Sequence, residues 1–147
     1  MKDYGFLNSG GLFIPRPRSV TLGIGIAIAM AGIELLTGLS IVSGSSRAYT
    51  GMNGYIDLSG FSHSQGYIIL LKSAILIPAA LRALRPARNP RFITIGLSAI
   101  TGLWYFFEFG LSVTSNQISV AGILKSLLMI APALLLITPA ANEFYGE

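Results

Sequence analysis

The chain has 147 residues, of which 52% are hydrophobic and only 11% charged, with a formal charge of +4 and no cysteine. A soluble domain has about a quarter of its residues charged, and so few charges cannot solvate the large relative surface of a small globule. Together with a mean hydropathy of +0.67, this indicates an integral membrane protein. The missing cysteines exclude disulfides, thiolate metal sites and cysteine nucleophiles.

The segment "GFLNSGGLFIPRP" that precedes the first long apolar run is too short to cross a bilayer. It is expected at the cytoplasmic interface, with Phe6, Leu12 and Phe13 dipping in. The first span is read as Ser19–Ser43. Its apolar run exceeds the roughly 7–15 residues of a signal sequence, so it reads as an anchor, although "SGSSRA" beyond it imitates a cleavage site. Gly23, Ala27, Ala31, Glu34 and Gly38 recur at helical spacing, a small-residue stripe that lets another helix approach closely. The stretch "LGIGIAIAMAG" has glycines but lies inside this span, so it is a packing feature, not a phosphate loop.

Residues 44–65 form the longest polar segment, rich in Gly, Ser and aromatics and expected as a compact cap on the outer surface. It holds the sole histidine, His63, and a lone histidine without cysteines or clustered carboxylates is no metal site. The second span is read as Gly66–Leu84 and contains Lys72 and Pro78. A basic link, residues 82–91, follows with Arg82, Arg85, Arg88 and Arg91. The third span, Phe92–Thr114, carries Glu108 within "WYFFEFG", and the fourth, Ile118–Thr138, carries Lys125 and Pro132. Each span approaches or exceeds the 20 or so helical residues that a hydrocarbon core requires. Helix is the only choice where lipid offers the backbone no partners.

The fold class expected is therefore all-α: one domain, residues 1–147, of four transmembrane helices in an up-down-up-down bundle. Seven of the ten basic residues lie before span 1 (Lys2, Arg16 and Arg18) or in the 82–91 link. That clustering reads as topology rather than a nucleic-acid footprint, and places both termini and the link in the cytoplasm. The same arginines could contact anionic headgroups, each adding about 1 kcal/mol, but topology is the preferred reading. Pro78 and Pro132 each remove a backbone hydrogen bond, so a kink is expected at both.

The halves echo one another. "LLKSAILIPAAL" in span 2 resembles "ILKSLLMIAPALL" in span 4, and "GLSIVS" at Gly38 resembles "GLSVTS" at Gly110. A tandem duplication of a two-helix hairpin is the expected origin, with a pseudo-twofold axis along the membrane normal. At 1.5 Å per residue, Glu34 and Glu108 lie about 21–22 Å from the cytoplasmic edge, and Lys72 and Lys125 about 8–9 Å below the outer edge. In a core about 30 Å thick these four charges share nearly one level. Intramembrane charges tend to face the bundle and pair. Lys72 is thus read as neutralising a glutamate on a neighbouring helix, with snorkelling to the outer interface as the alternative for both lysines.

No phosphate loop, metal-ligand cluster or nucleophile–base pair is visible, so the chain is not read as an enzyme. No cofactor is expected, and lipid or quinone contact stays open. The leading expectation is a structural or accessory subunit of a larger membrane complex, or a self-associating envelope protein. Its partners would be lipids, other membrane subunits or copies of itself. The alternative is a small oligomeric transporter or proton- or cation-conducting protein that uses Glu34 and Glu108. A membrane enzyme acting on quinone or lipid comes third.

Overall fold

The structure, a computed structural model, describes residues 6–7, 13–44, 47–49, 55–57, 63–111 and 120–146, and side chains within 15–44, 63–106 and 123–146. Five helices dominate it: α1 (Arg18–Val42), α2 (His63–Arg82), α3 (Arg88–Leu111), α4 (Val120–Leu136) and the short α5 (Pro139–Tyr145). Two small antiparallel ladders complete the described elements. β1 (Phe6–Leu7) pairs with β2 (Phe13–Ile14) before α1, and β3 (Arg47–Tyr49) pairs with β4 (Tyr55–Asp57) between α1 and α2.

The first four helices close a ring. α1 packs on α2 and α4, and α3 packs on α4 and α2. Neighbours run antiparallel. Ile41 at the end of α1 meets Gly66 at the start of α2, and Glu34 farther back meets Lys72 midway along α2, while Gly23 near the start of α1 meets Leu135 near the end of α4. Glycines set the close approaches. A Cβ on Gly38 would lie 2.9 Å from Leu70 Cγ and 3.1 Å from the Gly66 carbonyl oxygen. A Cβ on Gly102 would overlap Ile130 Cγ1 and lie 3.0 Å from the Ile130 backbone nitrogen, so α3 and α4 nearly touch there.

Side chains are distributed inside out relative to a water-soluble bundle. Small and hydroxylated residues fill the interior, among them Ala27, Ala31, Ser73, Ala80, Thr94, Ser98, Thr101 and Ser126. Large apolar side chains point outward from every helix of the ring: Leu22 and Leu36, Ile68 and Leu71, Ile100 and Trp104, Leu127 and Leu134. Small residues allow close backbone packing where lipid supplies no hydrophobic drive between helices. Hydroxyls on α1 are satisfied within the helix, with Thr37 donating to the Ile33 carbonyl at 2.9 Å and Ser40 to Leu36 at 2.9 Å.

Length and apolarity suit α1 and α2 for crossing a membrane, and α4 with α5 would make a third, bent crossing. α3 is not apolar enough over its described residues. It carries Arg88, Arg91, Thr94, Ser98 and Thr101, so the four-span expectation stands as a four-helix bundle with two or three membrane-competent segments. Pro78 and Pro132 both lie inside continuous helices. A bend of 57° separates α4 from α5.

α5 is the element that the sequence did not announce. Thr138 caps it, accepting a hydrogen bond from the Ala141 N–H, Pro139 occupies the first turn, and Gly146 closes it in the left-handed region at φ 76°. The Thr138 hydroxyl lies 3.1 Å from the Ser19 hydroxyl at the start of α1. Ala141, Phe144 and Tyr145 then join Val20, Ile24, Ala27, Ala80, Ala83 and Leu136 in the main hydrophobic core. α5 thereby floors the end of the bundle where α1 begins.

Candidate functional site

Two polar constellations occupy opposite halves of the bundle. The first contains Glu34, Lys72 and Lys125 of the expected charge layer. Glu34 lies on the same face of α1 as Gly23, Ala27, Ala31 and Gly38, all of them buried. Lys72, just before the α2 face that holds Ser73 and Leu76, donates a hydrogen bond of 2.7 Å to Glu34 Oε1. Glu34 is 1% exposed and Lys72 19%, so the pair seals the carboxylate inside while the ammonium keeps some outlet. Lys72 is thus placed on a glutamate of the neighbouring helix, the pairing expected rather than the snorkelling alternative.

Tyr105 of α3 joins the layer. Its ring centroid lies 4.1 Å from Nζ of Lys125 and 5.9 Å from Nζ of Lys72, so cations from α2 and α4 converge on one aromatic side chain. Glu108 lies in the last turns of α3 with its side chain outside the described residues. Two polar atoms in the bundle interior have no hydrogen-bond partner, Glu34 Oε2 and Ser73 Oγ. The matching Ser126 on α4 bonds its own helix at the Ile123 carbonyl, 2.8 Å away.

The second constellation lies at the arginine-rich end and was not anticipated. Arg91, expected on the surface with Arg82, Arg85 and Arg88 as a topology or headgroup residue, is only 2% exposed. It reaches from the first turn of α3 to the break between α4 and α5. Nε and Nη2 donate to the Leu136 carbonyl at 3.1 and 2.8 Å, and Nη2 also donates to Asn142 Oδ1. The Leu136 carbonyl ends α4 with no helical N–H to receive, and a charged donor fills the vacancy. The guanidinium also stacks 4.7 Å from the Tyr145 ring centroid. The Tyr145 hydroxyl donates to the Ala83 carbonyl at the end of α2. Burial pushes the Tyr145 phenol up to about 12, against opposing influences from Arg91 and Arg16.

The physical reason for the Arg91 correction is its register. Arg91, Thr94, Ser98, Thr101 and Tyr105 are spaced by three or four residues, so they form one polar stripe along α3. With apolar Phe92, Ile100 and Leu103 on the exposed sides, that stripe turns inward and carries Arg91 with it. That spacing was the available signal. Arg82, Arg85 and Arg88 do lie exposed, as does Arg18, while Arg16 is half-buried.

Among the described residues no group of three or more His, Asp or Glu side chains could hold a metal ion. Two surface recesses among the described residues, one at the start of α1 and the other at the end of α2, do not include Glu34 or Lys72. The chain matches no protein-family model, no curated protein and no solved structure.

Proposed function

We propose that this chain is a non-enzymatic integral membrane component, either a structural or accessory subunit of a larger membrane assembly or a self-associating protein. All four long helices would cross the bilayer, α3 included, because its polar stripe is turned away from lipid. Both termini would lie on the arginine-rich, cytoplasmic side. The observation that carries this reading is the sealed ion pair. Glu34 is almost wholly buried and held by Lys72 at 2.7 Å, an arrangement suited to fixing helix register rather than to turnover. The duplication of a helical hairpin remains the proposed origin. It is supported by Ser73 and Ser126, each following a lysine that meets Tyr105, being buried on α2 and α4 alike.

The deciding experiment is the native mass of the gently extracted protein, with co-purifying chains identified by mass spectrometry. Stoichiometric partners or a defined homo-oligomer support the reading. A lone monomer that catalyses a flux, and loses it in Glu34→Gln without a change of assembly state, overturns it.

A second reading rests on one observation. Glu34 Oε2 and Ser73 Oγ are buried without a protein hydrogen-bond partner, and intramembrane polar groups of this kind mark ion paths. Under that reading the protein is a small, oligomeric proton- or cation-conducting element that uses Glu34 and Glu108. Vesicles carrying the purified protein would then dissipate an imposed pH or cation gradient, and tight vesicles would count against it.

A further inference from the structure

The start of α1 and the floor made by α5 enclose a recess of about 410 Å³, lined by Pro15, Arg16, Pro17, Arg18, Glu143 and Phe144, among others. We infer that this recess is a headgroup site for an anionic phospholipid. The inference rests on the membrane reading above and goes beyond it by assigning one ligand class to one place.

Four observations converge there. Among the described residues neither Arg16 nor Arg18 forms an ion pair with a carboxylate. Nε of Arg16 is shielded from solvent and yet has no hydrogen-bond partner. A shielded donor without a partner is rare, and an acceptor bound beside it would complete it. α1 is 25 residues long, begins with no side-chain cap and has no acidic residue in its first turn. Its positive end, equivalent to about half an elementary charge, is therefore uncompensated at the recess. Finally, the outer wall of α1 continues from the recess as apolar surface, with Leu22 exposed one turn along.

A phosphodiester meets each of these conditions, and guanidinium groups bind it with two parallel hydrogen bonds. The apolar wall selects a lipid over a free anion, because acyl chains can follow it while a soluble phosphate gains nothing from it. Glu143, exposed on the rim, is the only carboxylate among the lining residues. It leaves the recess with two positive charges against one negative. The second basic recess, at Leu81, Arg82 and Arg85, provides an internal comparison. Arg82 there lies in the last turn of α2, where the helix end is negative and offsets the arginine charge.

The test uses the full chain reconstituted in phosphatidylcholine vesicles containing a minority of phosphatidylglycerol, then extracted for native mass spectrometry of retained lipid. Phosphatidylglycerol is expected to be retained over phosphatidylcholine. Arg16→Gln and Arg18→Gln should each lower that preference about fivefold, Glu143→Gln should raise it, and the Arg82→Gln/Arg85→Gln variant should leave it nearly intact. Circular dichroism and elution volume confirm that each variant folds. Unchanged retention in the Arg16→Gln/Arg18→Gln variant overturns the site, and an equal loss in Arg82→Gln/Arg85→Gln reduces it to general basicity. Displacement of the lipid by millimolar inorganic phosphate overturns the lipid assignment in favour of a free anion. Insertion into vesicles without any lipid preference sinks this inference alone, whereas failure to insert sinks the membrane reading with it.

Discussion

Nζ of Lys72 lies 2.7 Å from Oε1 of Glu34, and the two ends of this ion pair are unequally buried, 19% exposed for the lysine and 1% for the glutamate. Removing one partner therefore does not mirror removing the other. Lys72→Met strands a carboxylate inside the bundle and is expected to cost about 3–5 kcal/mol. Glu34→Gln leaves an ammonium that already has an outlet to the surface, so its cost should be smaller. The double variant Glu34→Gln/Lys72→Met should be more stable than Lys72→Met alone. Thermal unfolding of the four proteins in one detergent gives the cycle, and additive single effects would show that the pair contributes nothing to the fold.

Glycines separate into those that permit contact and those that do not. A Cβ at Gly102 would collide with Ile130, including its backbone, whereas Gly25 and Gly32 have nothing within 4 Å of that position. Gly102→Ala is accordingly expected to destabilise by about 1–3 kcal/mol through forced separation of α3 and α4. Gly25→Ala and Gly32→Ala should be neutral or stabilising by up to about 1 kcal/mol, as alanine is the better helix former. Midpoints of thermal unfolding distinguish these outcomes. If Gly25→Ala or Gly32→Ala instead breaks an oligomer on size exclusion, that face of α1 is an interface between copies.

Much of this arrangement is legible in the sequence. The spacing of Gly23, Ala27, Ala31, Glu34 and Gly38 marked the buried face of α1, because a helix in lipid turns its small and charged residues toward its neighbours. Depth counting brought Glu34 and Lys72 to one level, since helical rise is fixed at about 1.5 Å per residue. What was not legible depended on contacts distant in sequence. Arg91 stood in a basic run that topology alone explained, and only the stripe through Thr94, Ser98, Thr101 and Tyr105 turns it inward. α5 is too short to leave a periodic signature, and its seven residues gain their place from the floor they close. The two prolines lie within α2 and α4, and the 57° bend between α4 and α5, where Arg91 takes over the last carbonyl of α4, left no such mark in the sequence.

Arg91 is expected to be a keystone of the arginine-rich end of the bundle. Its guanidinium binds the Leu136 carbonyl through two nitrogens and Asn142 through one of them. Arg91→Ala leaves the carbonyl unpaired in a buried setting and should destabilise by about 3 kcal/mol. Arg91→Lys keeps the charge but not the planar fork, so it should rescue little of that loss. Limited proteolysis reads the local effect, with cleavage after α4 accelerating before the bundle unfolds. If Arg91→Lys matches the wild type in stability, charge alone suffices and the geometry is incidental.

Tyr145 links the same floor to pH. Its phenol ordinarily titrates near 10, and burial against the core raises it to about 12 in the folded protein, despite the opposing charges of Arg91 and Arg16. The neutral phenol, which donates to the Ala83 carbonyl, is therefore the form that the fold favours. The sign follows from linkage: the unfolded chain releases this proton first, so stability from Tyr145 is complete below about pH 10 and falls as pH rises toward 12. Tyr145→Phe removes the hydroxyl and should lower stability at pH 8 by about 1–2 kcal/mol, the scale of a lost buried hydrogen bond. It should also flatten the decline between pH 10 and 12 relative to the wild type. Unfolding midpoints across that window, paired with the tyrosinate absorbance of both proteins, make the comparison. An equally steep alkaline decline in Tyr145→Phe would assign the loss to another group and leave Tyr145 a packing residue only.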